Sequence, residues 1–390
     1  MTDQSDSNAT HKADAIIVGG GPVGWVSALA LLRAGYQTTL VAPAVQKRDY
    51  RTIALMQGSL EFLRSLDLIP EEMEDSTPLE IMRMVDATER LIRAPEVEFD
   101  AKEIGFPCFA LNIPVEILIK SIKSAIDGLP GFKLVDGIVE NADLSENPKL
   151  TLADGQVLTA KLIVAADGKA SKIRELSGIA LQQWAYPQCA FVTQFSHSRP
   201  HNNVSTEFHT KTGPFTLVPL HGNRSSLVWV ETPEKVQELM AMDDAALSAE
   251  IEQKSSHLVG KISILERRQF FPMNAQIAKK MGSGPVFLVG ESGHAFPPIG
   301  AQGLNLGIRD IKSMVEALAA NPGDFIANLS EAYAKNRQLD VKSRTYGVDL
   351  LNRSLLSDLL PVQMLRGLGL FAAGSIPSIR KSLMRQGVGV

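Results

Sequence analysis

The sequence predicts an α/β protein in which a parallel-sheet unit shares the chain with an antiparallel sheet and a set of closing helices. Three features carry this expectation: a glycine-rich strand–turn–helix near the start, a second one around residue 290, and alternating hydrophobicity between them. In the first, Ala13 to Val18 form an apolar run, followed by Gly19-Gly20-Gly21-Pro22-Val23-Gly24 and the helical pattern Trp25 to Ala34, closed by Gly35. This is G-x-G-x-x-G in a Rossmann-like, dinucleotide-binding context. Gly19 permits the tight turn, Gly21 lets backbone approach a pyrophosphate, and Gly24 allows close helix–strand packing.

The second strand, Gln37 to Val41, ends in Ala42-Pro43, where a ribose-binding acid is expected about 20 residues beyond the glycines. Adenosine must therefore lean on other groups. A third apolar strand begins at Lys161 and ends in Asp167-Gly168, with Ser171, Lys172 and Arg174 just beyond. Val286 to Val289 form a short strand that Gly290-Glu291 breaks, and Gly300 to Gly303 lead into a helix beginning near Leu304. Such a helix N-terminus carries about half an elementary positive charge and suits an anionic group. Residues 206–210, 214–220 and 225–230 alternate as strands, separated by turns at Lys211-Thr212-Gly213 and His221-Gly222-Asn223. Glu234 to Ser256 read as helices.

These patterns divide the chain into a discontinuous nucleotide-binding part (13–80, 100–178 and 265–340), a sheet part (81–99 and 179–264) and a C-terminal helical region (341–390). With 390 residues and 45% hydrophobic content the chain can bury a large core. A net charge of −4 provides no basic footprint for nucleic acid. Cys108 and Cys189 lack the spacing of a disulfide framework or zinc site, and His197, His201, His209 and His221 read as sheet or surface histidines, so no metal is expected. The polar first 12 residues and the lack of an 18-residue apolar run predict a chain that neither spans a membrane nor is secreted. The expected location is cytoplasmic, and the C-terminal tail leaves open a peripheral site on the inner face of the membrane. The 341–390 tail interleaves seven Lys/Arg with leucines, a pattern for a bilayer interface, a partner's groove or the chain's own domain.

Together the glycine turns, Asp167-Gly168, the segment Arg51-Thr-Ile-Ala-Leu-Met-Gln-Gly-Ser59, the Pro298-Ile-Gly-Ala-Gln-Gly-Leu-Asn-Leu-Gly-Ile-Arg-Asp310 signature and the tail Val348 to Asp358 resemble class A flavoprotein monooxygenases. Within them the chain is similar to the hydroxylases of ubiquinone biosynthesis. The resemblance implies an FAD-binding domain of that type, with Gly19, Gly21, Pro22, Val23 and Gly24 at the pyrophosphate and Arg51 near the phosphate and ribityl region. Asp167 would sit where the nicotinamide donor passes. Gly290 and Glu291 would approach the ribityl chain, Glu291 standing where the family has aspartate, and Glu116 replaces the family's arginine or glutamine. The amides of Leu304 and Asn305 would meet flavin O2 and N1. Pro298, Gly300, Gln302 and Gly303 would lie beneath the ring, with Phe215, Val218 and Trp229 above it. His294 has a packing or ribityl-side role rather than acid/base catalysis.

The implied reaction uses NAD(P)H as transient reductant and O2, forms a C4a-hydroperoxyflavin, and hydroxylates the aromatic ring of a polyprenylated phenol or quinol. No side-chain nucleophile or acid/base residue is required. Membrane contact or a biosynthetic complex through 341–390 is the implied partner surface. Two other readings stay open: another flavoenzyme such as a polyprenyl reductase or halogenase, and a weakly FAD-binding, non-catalytic scaffold.

Overall fold

The computed structural model describes residues 11–44, 51–69, 75–90, 93–265, 268–297, 302–320, 322–323, 325–357 and 359–389. Its helices are α1 (Pro22–Arg33), α2 (Gln57–Ser65), α3 (Val115–Ile126), α4 (Lys172–Leu176), α5 (Pro233–Ala241), α6 (Asp244–Lys254), α7 (Gln302–Ala320), α8 (Ile326–Leu356), α9 (Leu360–Ser375) and α10 (Pro377–Val388).

Strands Val286–Leu288, Leu162–Ala165, Ala15–Val18, Thr38–Ala42 and Phe132–Asp136 lie side by side in that order, all parallel. The first four are buried at every residue. Their unbroken apolar runs follow from burial on both faces of a parallel sheet. α1 and α7 pack against one another over this sheet. This is the α/β architecture the two glycine turns announced.

The second sheet is built around the 17-residue strand Leu181–His197. That strand pairs antiparallel with Arg224–Glu231 on one side and Gln269–Ala278 on the other. Pro214–Leu220, Val204–His209, Ile81–Asp86 and Val97–Asp100 extend the sheet outward. The sequence pattern places Gln269–Ala278 in the nucleotide-binding part; its pairing with residues 181–192 makes it a strand of the antiparallel sheet. Alternation sends successive side chains to opposite faces. Phe191, Phe215 and Trp229, aligned across three strands, form a core with Val236, Leu239, Leu247 and Ile251 of α5 and α6. The helical stretch breaks at Met242-Asp243, because the Asp243 side chain accepts from the Ala246 amide and starts α6 as its cap.

The C-terminal helices pack on this body. Arg366 of α9 meets Asp86 at 2.7 Å, with both side chains buried. Arg380 of α10 meets Glu103 at 2.6 Å. Two cations expected to face outward are thus used inside the molecule. Asp86 also accepts from Thr88 and from the Ala94 amide, so one carboxylate ties α9 to the loop that follows strand Ile81–Asp86. Replacing one member of a buried pair strands the other charge at about 3–5 kcal/mol. Asp86→Ala should lower unfolding free energy by that amount in urea melts, whereas Lys381→Ala, at an exposed site, should change it by about 0.5 kcal/mol or less. Equal stabilities for the two variants would show that the Arg366 pair does not hold α9.

Candidate functional site

Strand Ala15–Val18 runs into a turn whose shape is dictated by backbone crowding. Gly19 has φ +121°, and a Cβ there would lie 2.2 Å from the Ala166 carbonyl oxygen. At Gly24 a Cβ would lie 1.8 Å from the Gly19 oxygen. Only glycine fits either position. Gly21 is different, since a Cβ there meets no atom within 4 Å, and its extended backbone caps α1 with Pro22 at the first turn. The Cβ direction at Gly21 is therefore open among the described residues. Val23 packs inward, against Gly290 of the second turn and Gly307 of α7.

Asp167 stands at the end of the neighbouring strand. One carboxylate oxygen accepts from the Ile173 amide at 3.1 Å, and the other, also buried, has no partner among the described residues. Arg174 donates to the Ser292 and Lys169 carbonyls, which ties this strand end to the next. Ser292 reinforces the tie by donating to the Ala165 carbonyl at 2.6 Å.

Strand Val286–Leu288 leads to Gly290, whose φ of +61° starts a short helical turn through Ser292. Glu291 projects outward there, and its carbonyl accepts from Gln276. The Gly290 amide donates to Asp310 Oδ2 at 3.0 Å, and His294 Nε2 meets the same oxygen at 2.6 Å. Arg337 of α8 donates to Asp310 Oδ1 at 2.8 Å. All three side chains are buried. Burial alone would lower the Arg337 pKa, but Asp310 outweighs it and holds the guanidinium above its usual range. His294 is thus held in the core by Asp310.

At the start of α7, Asn305 holds an edge strand in both directions. Its Nδ2 donates to Ala54 O and its Oδ1 accepts from Met56 N, each at 2.8 Å. Gln302 Oε1 accepts from Arg344, Gly303 is exposed and Leu304 half-buried. Arg51 is exposed at the head of strand Thr52–Met56, and its carbonyl accepts from Val115. Pro298 and Gly300 lie outside the described residues.

Two pocket expectations are corrected. Phe215 and Trp229 are fully buried on the face covered by α5 and α6, where Lys254 sits 4.8 Å over the Trp229 ring. Side-chain alternation was the deciding constraint. Val218, of opposite parity, packs instead with the cluster containing Met56 and Ala110. The face beside the second turn carries Tyr186, Ala190, Val230, Met273 and Ala275, packed with Trp184 and Phe296. Sequence reading missed these, although Trp184 and Tyr186 share an alternating strand with Ala190. It also missed Asp136, paired in register with Ala42. Its carboxylate accepts from the Ala44 amide, so the acid absent at Ala42 stands one strand over.

Two helix N-termini beside a parallel sheet, one glycine turn crowded by backbone and one residue open to ligand, define a dinucleotide-binding fold. Residues 12–343 match the family model described as FAD binding domain. The chain is 30% identical to ubiquinone hydroxylase UbiL of Rhodospirillum rubrum, covering 98% of this chain and 91% of that one. It is 29% identical to 3-demethoxyubiquinol 3-hydroxylase of Escherichia coli, over 96% and 98% of the two chains. Among solved structures, p-nitrophenol 4-monooxygenase PnpA of Pseudomonas putida superposes with TM-score 0.78 at 17% identity, over 97% and 99% of the two chains. The protein is an FAD-dependent aromatic-ring monooxygenase. It belongs to the FAD-binding hydroxylase family that contains the ubiquinone hydroxylases.

The donor set fits FAD. Amides at the start of α1 and the open Cβ direction at Gly21 suit a pyrophosphate, and the uncommitted Asp167 oxygen suits a cofactor hydroxyl, which can donate to it. Because a Cβ at Gly21 would meet no atom within 4 Å, Gly21→Val should keep the parent's melting temperature within a few degrees while losing most bound flavin, read as visible absorbance per protein. Gly24→Val should fail to fold, since its Cβ would overlap a carbonyl. Full flavin content in Gly21→Val would remove the α1 turn from the site.

Proposed function

We propose that this enzyme hydroxylates the aromatic ring of a polyprenylated phenol or quinol on the route to ubiquinone, with NAD(P)H as transient reductant and O2 as oxygen source. The observation that supports it most is the likeness to ubiquinone hydroxylases over 98% of the chain, which takes in the closing helices as well as the nucleotide-binding part. FAD, when bound, supplies the activated oxygen; the chain's residues position, shield and polarise. In this reading Gly19, Gly21, Pro22, Val23 and Gly24 hold the pyrophosphate, with Arg51 and Asp167 at its flanks. Gly290 and Glu291 approach the ribityl chain. Gln302, Gly303, Leu304 and Asn305 present the N-terminus of α7 to the ring edge, where its partial positive charge stabilises developing negative charge.

Water exclusion falls to the apolar face of the sheet. Tyr186, Val230, Met273, Ala275 and Phe296 form a dry surface beside the second turn. Asp349 of α8 fixes it, accepting from Tyr186 at 2.5 Å and from Trp184 at 2.9 Å. Burial, reinforced by Asp349, raises the Tyr186 pKa well beyond the usual phenol range, so its proton stays in that bond. A polyprenyl substrate resides in a membrane, and contact of residues 341–390 with its inner face belongs to the same proposal.

Purified enzyme with added FAD should oxidise NAD(P)H only when given a polyprenylated phenol, yielding a product with one more ring oxygen. A product with a saturated prenyl bond, or nicotinamide consumption that ignores substrate, would overturn the reading. Shortening the ribityl-side carboxylate by one methylene should spare it the retraction that the longer side chain needs: Glu291→Asp should bind FAD about tenfold more tightly, as one charged hydrogen bond of about 1.5–3 kcal/mol allows. Equal or weaker binding in a flavin titration would show that the site is adapted to glutamate.

A further inference from the structure

α9 is built inside out for a helix of a soluble domain. Its inward stripe carries Gln363 and Arg366, both buried, while Met364, Leu365, Leu368 and Phe371 point outward. Leu365 is 71% exposed, Leu368 60% and Phe371 56%, so ordinary helix amphipathicity is reversed. α10 packs on α9 and adds Ile376, Ile379 and Leu383 to the exposed apolar set. Residues at spacings of three and four share a helix face, so each helix presents a continuous stripe rather than scattered side chains. Scattered exposed apolar residues need no explanation, but a contiguous set does.

Charge identifies the occupant. From Leu359 onward the sequence contains no Asp or Glu and four cations. Arg366 and Arg380 are spent on Asp86 and Glu103, which lock the hairpin to the body. Lys381 and Arg385 remain on the exposed surface of α10. No helix among the described residues is long and apolar enough to cross a membrane. A rigid, acid-free pair of short helices with an uncharged apolar stripe and flanking cations matches an anionic bilayer interface, where apolar burial and phosphate attraction add.

We propose that the α9–α10 hairpin is a preformed monotopic seat: the stripe through Leu365, Leu368 and Phe371 enters the acyl boundary, and Lys381 and Arg385 meet anionic headgroups. This deepens the membrane-contact part of the proposed function. Arg366 and Arg380 are excluded from the lipid contact and act as internal fasteners. The seat is continuous with the site, because Arg344 bridges Gln302 at the start of α7 to the Gln386 carbonyl of α10.

The test is co-sedimentation of the full-length, FAD-supplemented protein with phosphatidylglycerol/phosphatidylethanolamine vesicles and with phosphatidylcholine vesicles. The parent should prefer the anionic vesicles. Leu365→Ser/Leu368→Ser/Phe371→Ser should weaken vesicle binding on the order of tenfold or more, given three exposed apolar anchors lost. The parent's melting temperature and flavin content should persist, since these side chains contact solvent. Lys381→Ala/Arg385→Ala should abolish the preference for anionic lipid. Sedimentation of the triple variant at parental levels overturns the proposal. So does a parent that ignores vesicles and instead elutes as a dimer that the triple variant dissolves, which would assign the stripe to a second copy. Hydroxylation of detergent-solubilised substrate is measured in parallel: its failure with vesicle binding intact overturns the substrate reading and leaves the seat standing.

Discussion

The buried carboxylate of Asp310 is the constraint on which the rest of the site depends. One oxygen accepts from the Gly290 amide and from His294, and the other accepts from Arg337. Three elements distant in sequence are thereby held at one point: the turn after strand Val286–Leu288, helix α7 and helix α8. A charge fully removed from water is tolerated only when its lone pairs are satisfied and its counter-charge is close. Arg337 supplies the counter-charge and extends the network, since it also pairs with Asp340, which in turn meets Arg309 and Arg344.

From that point two further fastenings shape the cleft. Asn305 holds strand Thr52–Met56 by both ends of its amide, and Ser292 with Arg174 binds the second turn to the strand end that carries Asp167. The α1 turn contributes differently, since Gly19 and Gly24 let backbones meet where no Cβ fits. Polar side-chain bonds thus assemble one half of the site and bare backbone contact the other. Both halves open on the same side of the parallel strands, where ligands of open α/β sheets bind.

Much of this was legible in the sequence because it is written in short-range terms. The run Ala13 to Gly24 specifies strand, turn and helix within twelve residues, and the observed elements begin and end within two or three residues of that reading. The strands at 204–231 were equally plain, from alternation and their glycine turns. What alternation does not reveal is which face looks inward. Alternation alone is compatible with Phe215 and Trp229 against the ring, although helices α5 and α6 cover that face. Long-range partnerships were also invisible: Arg337 lies 27 residues beyond Asp310, and Arg366 lies 280 beyond Asp86, with no spacing rule to join them. The tail's positive balance was visible, but not that two of its arginines close internal pairs and leave leucines outside.

The account rests on both helix N-termini addressing one FAD molecule, and a crystal structure of the FAD complex tests that most directly. The pyrophosphate should lie within hydrogen-bond reach, about 2.7–3.2 Å, of amides in the Gly21 to Gly24 turn. The isoalloxazine edge should face the Leu304 and Asn305 amides, with its plane turned toward Tyr186 and Val230. A flavin bound with its ring on the Phe215 and Trp229 face, or with its pyrophosphate away from the α1 turn, would contradict the account.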